Sequence, residues 1–468
     1  MKKKLIITMI ALFVLAASFA MVPRKANAIP AFAQKYHFSC AVCHTVFPNL
    51  NPFGRAFWRN GFRLPDTDGT PSDATQITEG LSLPNPWPIP VMVEPIIGYT
   101  HVTNENVSAS TDAFSSEFDF VAAGAFKIYT PFANSISFYV HANTGSGTMK
   151  QKQVFASING LGSGFGVASH LFNLKLGQVT TASPYFYRQI PFYTIGPSSG
   201  GPVGNGQGLD VGLDGESGAL IHSRNAGIAL YGTPGYHLWY KVTVTNDNPS
   251  TPTYSGSSPY GEATGNSASN AMEYSYQLKE YYQVPVGQLE FGYYGATIGE
   301  PITVPLSTTA STTWTDGIQI NGVDVDLAND IYELGLTYMQ QHDSNPYDNT
   351  SYDGHSTNGY SNFEVYGRYL MPQIGQGLML MADYATYSWM HKGAEEAFNG
   401  TVTSCSNAGL YEFGTYASSN GCTNEGIKDA FAIQAEYNLA YNAHLYLAYI
   451  FTNKSQDNSL GTGLDFAF

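Results

Sequence analysis

From about residue 90 onward, apolar and polar side chains alternate in segments of roughly ten residues, separated by clusters of Gly, Pro, Ser, Asn and Asp. Period-two alternation predicts strands with one apolar and one polar face. Phe118-Asp119-Phe120-Val121 and Leu378 through Tyr384 are examples. The clearest hairpin joins Ala226–Tyr231 to Tyr236–Thr245 through Gly232-Thr233-Pro234-Gly235, two aromatic-rich segments around a tight turn. Short turns are expected near 131–134, 159–166, 232–235, 284–288, 328–330, 371–377 and 440–443. Longer polar loops are expected near 103–116, 143–149, 181–222, 246–270, 300–316, 343–360, 391–427 and 455–461. Seven short turns and eight long loops join sixteen strands, with both ends of the strand array on the short-turn side.

No later stretch approaches eighteen consecutive apolar residues, so any membrane crossing must be made by strands rather than a helix. The final residues, Leu464-Asp465-Phe466-Ala467-Phe468, alternate and stop on an aromatic, as the terminal strands of outer-membrane barrels do. No blade-length repeat supports a propeller. The expectation is an all-β fold, an antiparallel outer-membrane β-barrel of about sixteen strands, porin-like, over 90–468. Composition agrees: only 12% of residues are charged, while Gly contributes 48, Tyr 33 and Phe 27, and an ordinary soluble chain is about a quarter charged.

Residues 1–28 read as a secretory signal, with Lys2, Lys3 and Lys4 before the apolar run Leu5 to Ala20 and Ala26-Asn27-Ala28 as the cleavage box. The mature chain then divides into 29–89 and the barrel. The whole chain carries 21 basic and 36 acidic residues; loss of the signal removes five basic residues and no acid, leaving −20. Such a surface argues against nucleic acid and in favour of cations as partners.

The segment 29–89 holds the chemistry. Cys40-Ala41-Val42-Cys43-His44 is a C-x-x-C-H box in an exported chain, the spacing at which two thiols form thioethers with haem vinyl groups and the histidine supplies an axial nitrogen. A Cys40–Cys43 disulfide, a redox pair or half a zinc site are the alternatives; the redox motif lacks its βαβ context, and only His37 stands nearby to complete zinc. A short helix follows, with Asn51 as N-cap, Pro52 at its first position and Gly61 past its end. Phe53 and Phe57 share one face as haem-contacting or core aromatics. Arg55, Arg59 and Arg63, also four apart, are candidates to fork onto haem propionates. For the sixth ligand, Met92 or His101 in the first strand is favoured over His37, and methionine would raise the potential.

The block from Ala31-Phe32-Ala33 through C-A-V-C-H to Phe47-Pro48-Asn49-Leu50-Asn51-Pro52-Phe53-Gly54-Arg55-Ala56-Phe57 resembles the fused monohaem cytochrome c-porins of bacterial outer membranes, whose best-known members are the iron-oxidising cytochromes. The resemblance implies one covalent haem c, a helical cytochrome segment plugging a porin barrel, and residence in outer-membrane lipid. It further implies electron flow from extracellular Fe(II), or another small redox donor, to a periplasmic c-type cytochrome, an Fe(II):cytochrome c oxidoreductase activity. Gln34-Lys35 departs from the family, where Arg is expected. An outlet to an extracellular acceptor, or a solute porin with a redox-sensing haem, are the competing functions. Cys405 and Cys422 share one long loop with sixteen residues between them, a spacing that predicts a disulfide. Asp343 to His355 forms a second polar loop, able to meet a hard cation in passing.

Overall fold

A computed structural model describes residues 31–36, 38–46, 49–64, 75–78, 81–83, 91–103, 110–128, 130–144, 149–179, 225–246, 272–305, 311–344, 358–389, 415–417, 423–425, 429–440, 443–452 and 459–466. The signal segment and the Cys405 and Cys422 pair lie outside these residues, as do His37 and His355. The N-terminal segment comprises α1 (Ala31–Tyr36), α2 (Cys40–Cys43), the ribbon strands β1 (His44–Val46) and β2 (Asn49–Leu50), α3 (Pro52–Arg59) and a second small ribbon, β3 (Thr75–Thr78) and β4 (Leu81–Leu83).

The barrel strands follow: β5 (Met92–Thr103), β6 (Ser110–Lys127), β7 (Ser135–Asn143), β8 (Lys150–Asn159), β9 (Asn173–Val179), β10 (Asn225–Gly232), β11 (Leu238–Asn246), β12 (Met272–Val284), β13 (Gly287–Pro305) and β14 (Ser311–Ala328). Then come β15 (Tyr332–Asp343), β16 (Asn358–Met371), β17 (Leu378–Trp389), the accessory ribbon β18 (Thr415–Ala417) and β19 (Thr423–Glu425), β20 (Asp429–Ala440), β21 (Ala443–Thr452) and β22 (Ser459–Phe466). Sixteen strands form one closed antiparallel barrel in which each pairs with its chain neighbour in the barrel and β22 closes on β5, Asp465 opposite Ile96. The rim from which the chain enters β5 carries connections of two to seven residues together with the 13-residue link 160–172, and is called the short-connection rim; the opposite rim carries the others, among them links of five and six residues at 306–310, 104–109 and 144–149.

Two loops depart from expectation. Between 300 and 316 the backbone stays in register, with Pro305 opposite Ser311, so β13 and β14 run to 19 and 18 residues. Likewise β6 resumes at Ser110, opposite Thr103. Ladder hydrogen bonds extend a hairpin past the point where the apolar alternation fades, which is why composition placed these loops too low. The 160–172 connection is longer than expected and contains a 3-10 turn, Ser163–Phe165.

Alternation divides the wall cleanly. Ile97, Phe118, Ile228, Val242, Phe291, Val323, Val365 and Leu447 stand exposed on the outer face. Charged and polar groups such as Glu94, Asp119, Glu290, Glu333 and Asp383 are buried on the inner face. A soluble protein would be insoluble with such an exterior; a hydrocarbon belt needs it.

Barrel closure should make the unheated protein resist detergent denaturation and migrate differently from the heated form, with a circular dichroism spectrum dominated by β-structure. Val365→Arg, mid-strand on the outer face, should cost about 2–4 kcal/mol on folding into lipid vesicles, measured by urea titration. An unchanged midpoint would place that face away from lipid.

Candidate functional site

The thiols come first. α2 is one helical turn, so Cys40 and Cys43, three apart, share a face, and both are free, half-buried cysteines. Burial raises the Cys40 thiol pKa, and burial followed by the neighbouring Cys40 raises Cys43 to about 12. Both are therefore protonated thiols at neutral pH. His44 follows at once as the first residue of β1.

Asn51 ties this turn to α3. Its side-chain oxygen accepts from Gly54 N at 2.9 Å, the N-cap bond the sequence predicts. Its amide nitrogen donates to the carbonyls of Val42 (3.1 Å) and Ala41 (3.4 Å), and its own N–H donates to Cys43 O at 2.9 Å. A Cβ on Gly54 would stand 2.1 Å from Cys43 O, so only glycine permits this approach. α3 ends at Asn60, and Gly61 turns the chain in the left-handed region (φ 66°).

α3 then locks into the barrel by two faces. Phe57 and Phe62 form one cluster with the wall residues Tyr139 and Phe155, bordered by Phe32, Tyr36, Phe53 and Trp58. Phe53 and Phe57 stack with centroids 6.5 Å apart, as their spacing predicts, and Trp58 meets Tyr139 edge-on at 5.1 Å. The opposite face is ionic. Arg59 forks onto Glu290 with contacts of 2.5 and 2.7 Å. Arg55 Nη1 donates to Asp326 (3.0 Å) and Glu333 (3.4 Å), both also held by the Tyr366 hydroxyl at 2.7 and 2.9 Å. Burial would lower the Arg55 pKa, but the charges of Glu333, Asp326 and Glu290 more than compensate and hold it above the usual arginine value. Arg63 reaches Asn173 Oδ1 at 2.9 Å and the Ser169 carbonyl at 3.4 Å.

Arg59 and Arg63, expected as propionate partners, are engaged by wall residues in this structure. Wall carboxylates, invisible to local sequence reading because they lie more than two hundred positions away, take both terminal nitrogens of Arg59. Arg55 differs: its Nε and Nη2 are buried with no hydrogen-bond partner among the described residues.

The two sixth-ligand candidates also separate. The β5–β6 register is continuous from Met92 to Thr103, and nine positions is an odd step, so Met92 and His101 leave opposite faces. Met92 is buried inside against Val121. His101 shares the outer face with exposed Ile97 and lies roughly 30 Å along the strand from Met92, which corrects its candidacy. Sequence reading missed His141, whose Nε2 lies 2.8 Å from Asp119 Oδ2 and which sits in the same cross-strand row as Met92 and Val121. The alternation Ser135-Ile-Ser-Phe-Tyr-Val-His141 could have assigned it inward. Among the described residues no trio of His, Cys, Asp or Glu is arranged to hold a bare metal ion.

Replacing Glu290 with Gln strands Arg59 and should destabilise the seated segment by about 3–5 kcal/mol, seen as protease sensitivity near α3; wild-type resistance in E290Q would show the pair to be dispensable. In the haem-free full chain at pH 8, Cys43 should alkylate about a thousandfold more slowly than a free thiol, because thiolate falls tenfold per unit of pKa above the pH. Asn51→Ser keeps the cap but loses the tie; it should speed alkylation as much as Asn51→Ala, whereas a purely capping role would leave N51S at the wild-type rate.

No family model and no curated protein matches the chain. Among solved structures, OprB of Pseudomonas putida (high-pH form) is similar with TM-score 0.50 at 11% identity, over 81% of this chain and 94% of that one. OmpF of Salmonella typhi in complex with daunomycin gives 0.48 at 12% identity over 83% and 98%. The anion-selective porin from Comamonas acidovorans gives 0.48 at 10% over 81% and 99%. The likeness to OprB concerns the fold alone: the chain shares the architecture of a porin-like β-barrel.

Proposed function

We propose that this chain is an outer-membrane cytochrome c-porin that passes electrons from extracellular Fe(II) to a periplasmic c-type cytochrome. The observation that carries this reading is the single helical turn bearing two free thiols, followed by His44 and tied through Asn51 to a helix clamped inside the barrel. The residues fit a covalent haem c. Cys40 and Cys43 would hold it by thioethers, His44 would supply one axial nitrogen, and Met92 is the favoured sixth ligand. Phe53, Phe57 and Tyr36 offer an apolar ring border. Bound there, haem would supply one site for one-electron exchange.

The chain's own residues do the remainder. Arg59 and Glu290 fix the segment at the short-connection rim, which in this reading faces the periplasm. The apolar exterior seats the wall in lipid. The inner face carries buried carboxylates, among them Asp119, Glu273, Glu364 and Asp383. A small cation suits such a passage better than an anion. The same fold is compatible with a solute porin; the thiol turn favours electron transfer over it.

The purified protein should stain for covalent haem on a denaturing gel, and Cys43→Ala should abolish the stain. Fe(II) supplied outside intact cells should reduce the haem. If external Fe(II) leaves the spectrum unchanged while a periplasmic reductant reduces the haem and an external acceptor reoxidises it, flow runs outward instead. Met92→Ala should shift the haem spectrum and His101→Ala should not; the reverse would reject the Met92 assignment.

A further inference from the structure

Arg55 is one of two buried guanidiniums that flank Glu333. From the wall, Arg368 also pairs with Glu333 and donates Nη2 to the Leu50 carbonyl at 3.1 Å. The charges balance, since Asp326 and Glu333 oppose Arg55 and Arg368, yet the hydrogen bonds do not. Arg55 Nε and Nη2 and Arg368 Nε and Nη1 are all buried with no acceptor among the described residues. The deficit continues on the ribbon that Arg368 touches, where Thr45 Oγ1 and both amide atoms of Asn49 are likewise unpartnered. Buried donors without acceptors are rare in native proteins, and each one asks for a reason.

We propose that Arg55 and Arg368 form a carboxylate seat, with Thr45 and Asn49 at its edge. The Nε and Nη2 atoms of Arg55 form the planar fork that matches the two oxygens of a carboxylate. Thr45 follows His44 directly, so a carboxylate on a group bonded to Cys40 and Cys43 starts within a few residues of the seat. This source, a haem propionate, rests on the proposed function; a free carboxylate entering the lumen is the other source.

The test uses the full chain. Succinate is titrated by calorimetry into haem-free C40A/C43A protein and into haem-loaded wild type, with Arg368→Lys as the variant that keeps the charge and loses the fork. Heat-modifiable migration confirms that each barrel is closed. Succinate should bind the haem-free chain and weaken at least tenfold in R368K. In the loaded protein a propionate occupant should abolish succinate binding, and R368K should change the pH dependence of the haem midpoint potential. Succinate binding to both forms would assign the seat to a free carboxylate. No binding to the haem-free chain, together with an unaltered pH dependence in R368K and N49A, overturns the seat. A wild type without haem stain defeats the proposed function but leaves the succinate titration able to decide the seat by itself.

Discussion

A guanidinium withdrawn from water must be met by acceptor oxygens, and here the two that meet carboxylates, Arg55 and Arg59, place α3 against the barrel wall. Arg59 and Glu290 are both nearly inaccessible, and leaving either alone would bury an uncompensated charge. Residues four apart on a helix stand about 6 Å apart, so Arg55 reaches Asp326 and Glu333 on β14 and β15 while Arg59 reaches Glu290 on β13. The wall is itself pre-ordered for this. Lys279 holds Asp324 at 2.5 Å and Glu290 at 3.2 Å, and Tyr366 bridges Asp326 and Glu333. Each acid is held by a wall group as well as by the helix, so the register of α3 in the lumen is over-determined. The thiol turn inherits that placement through Asn51.

What the sequence made legible follows from the range of each signal. Alternation is a local signal, and it gave the sixteen barrel strands in their order. Cap chemistry is equally local, so Asn51, Pro52 and Gly61 bounded α3 correctly. The partners of Arg55 and Arg59 could not be read this way, because periodicity tells which face a residue occupies and not which strand it confronts across a lumen. His101 shows how strictly parity acts: a step of nine instead of eight turned a lumen candidate into an exterior residue. The loops at 103–116 and 300–316 were misplaced because strand pairing continues beyond the apolar belt that composition detects.

Depth sets the remaining functional constraint. Glu290, Asp326, Glu333, Arg368, Tyr139 and Phe155 all lie within four positions of the short-connection end of their strands, or about 13 Å along them. The N-terminal segment therefore sits near one mouth, and most of the length of β13 and β14 rises above it. Under the proposed function, a single redox group at that level would be close to a partner on the short-connection side and far from the opposite surface. Exchange with that surface then requires a reactant small enough to travel down the lumen.

The lumen's charge is divided unevenly. The sector formed by β13 to β15 is neutralised: Glu290, Asp324, Asp326 and Glu333 are matched by Arg55, Arg59, Lys279 and Arg368. On β16, β17, β20 and β22, Glu364, Asp383, Glu436 and Asp465 are buried inward, with His444 beside Asp465 at 3.7 Å. Their opposite number is not an arginine cluster but the apolar contact of Val46 with Met379 and Met381. Under the proposed function this sector runs beside the ribbon that begins at His44, and Arg368 is the guanidinium whose charge acts on Glu436 there.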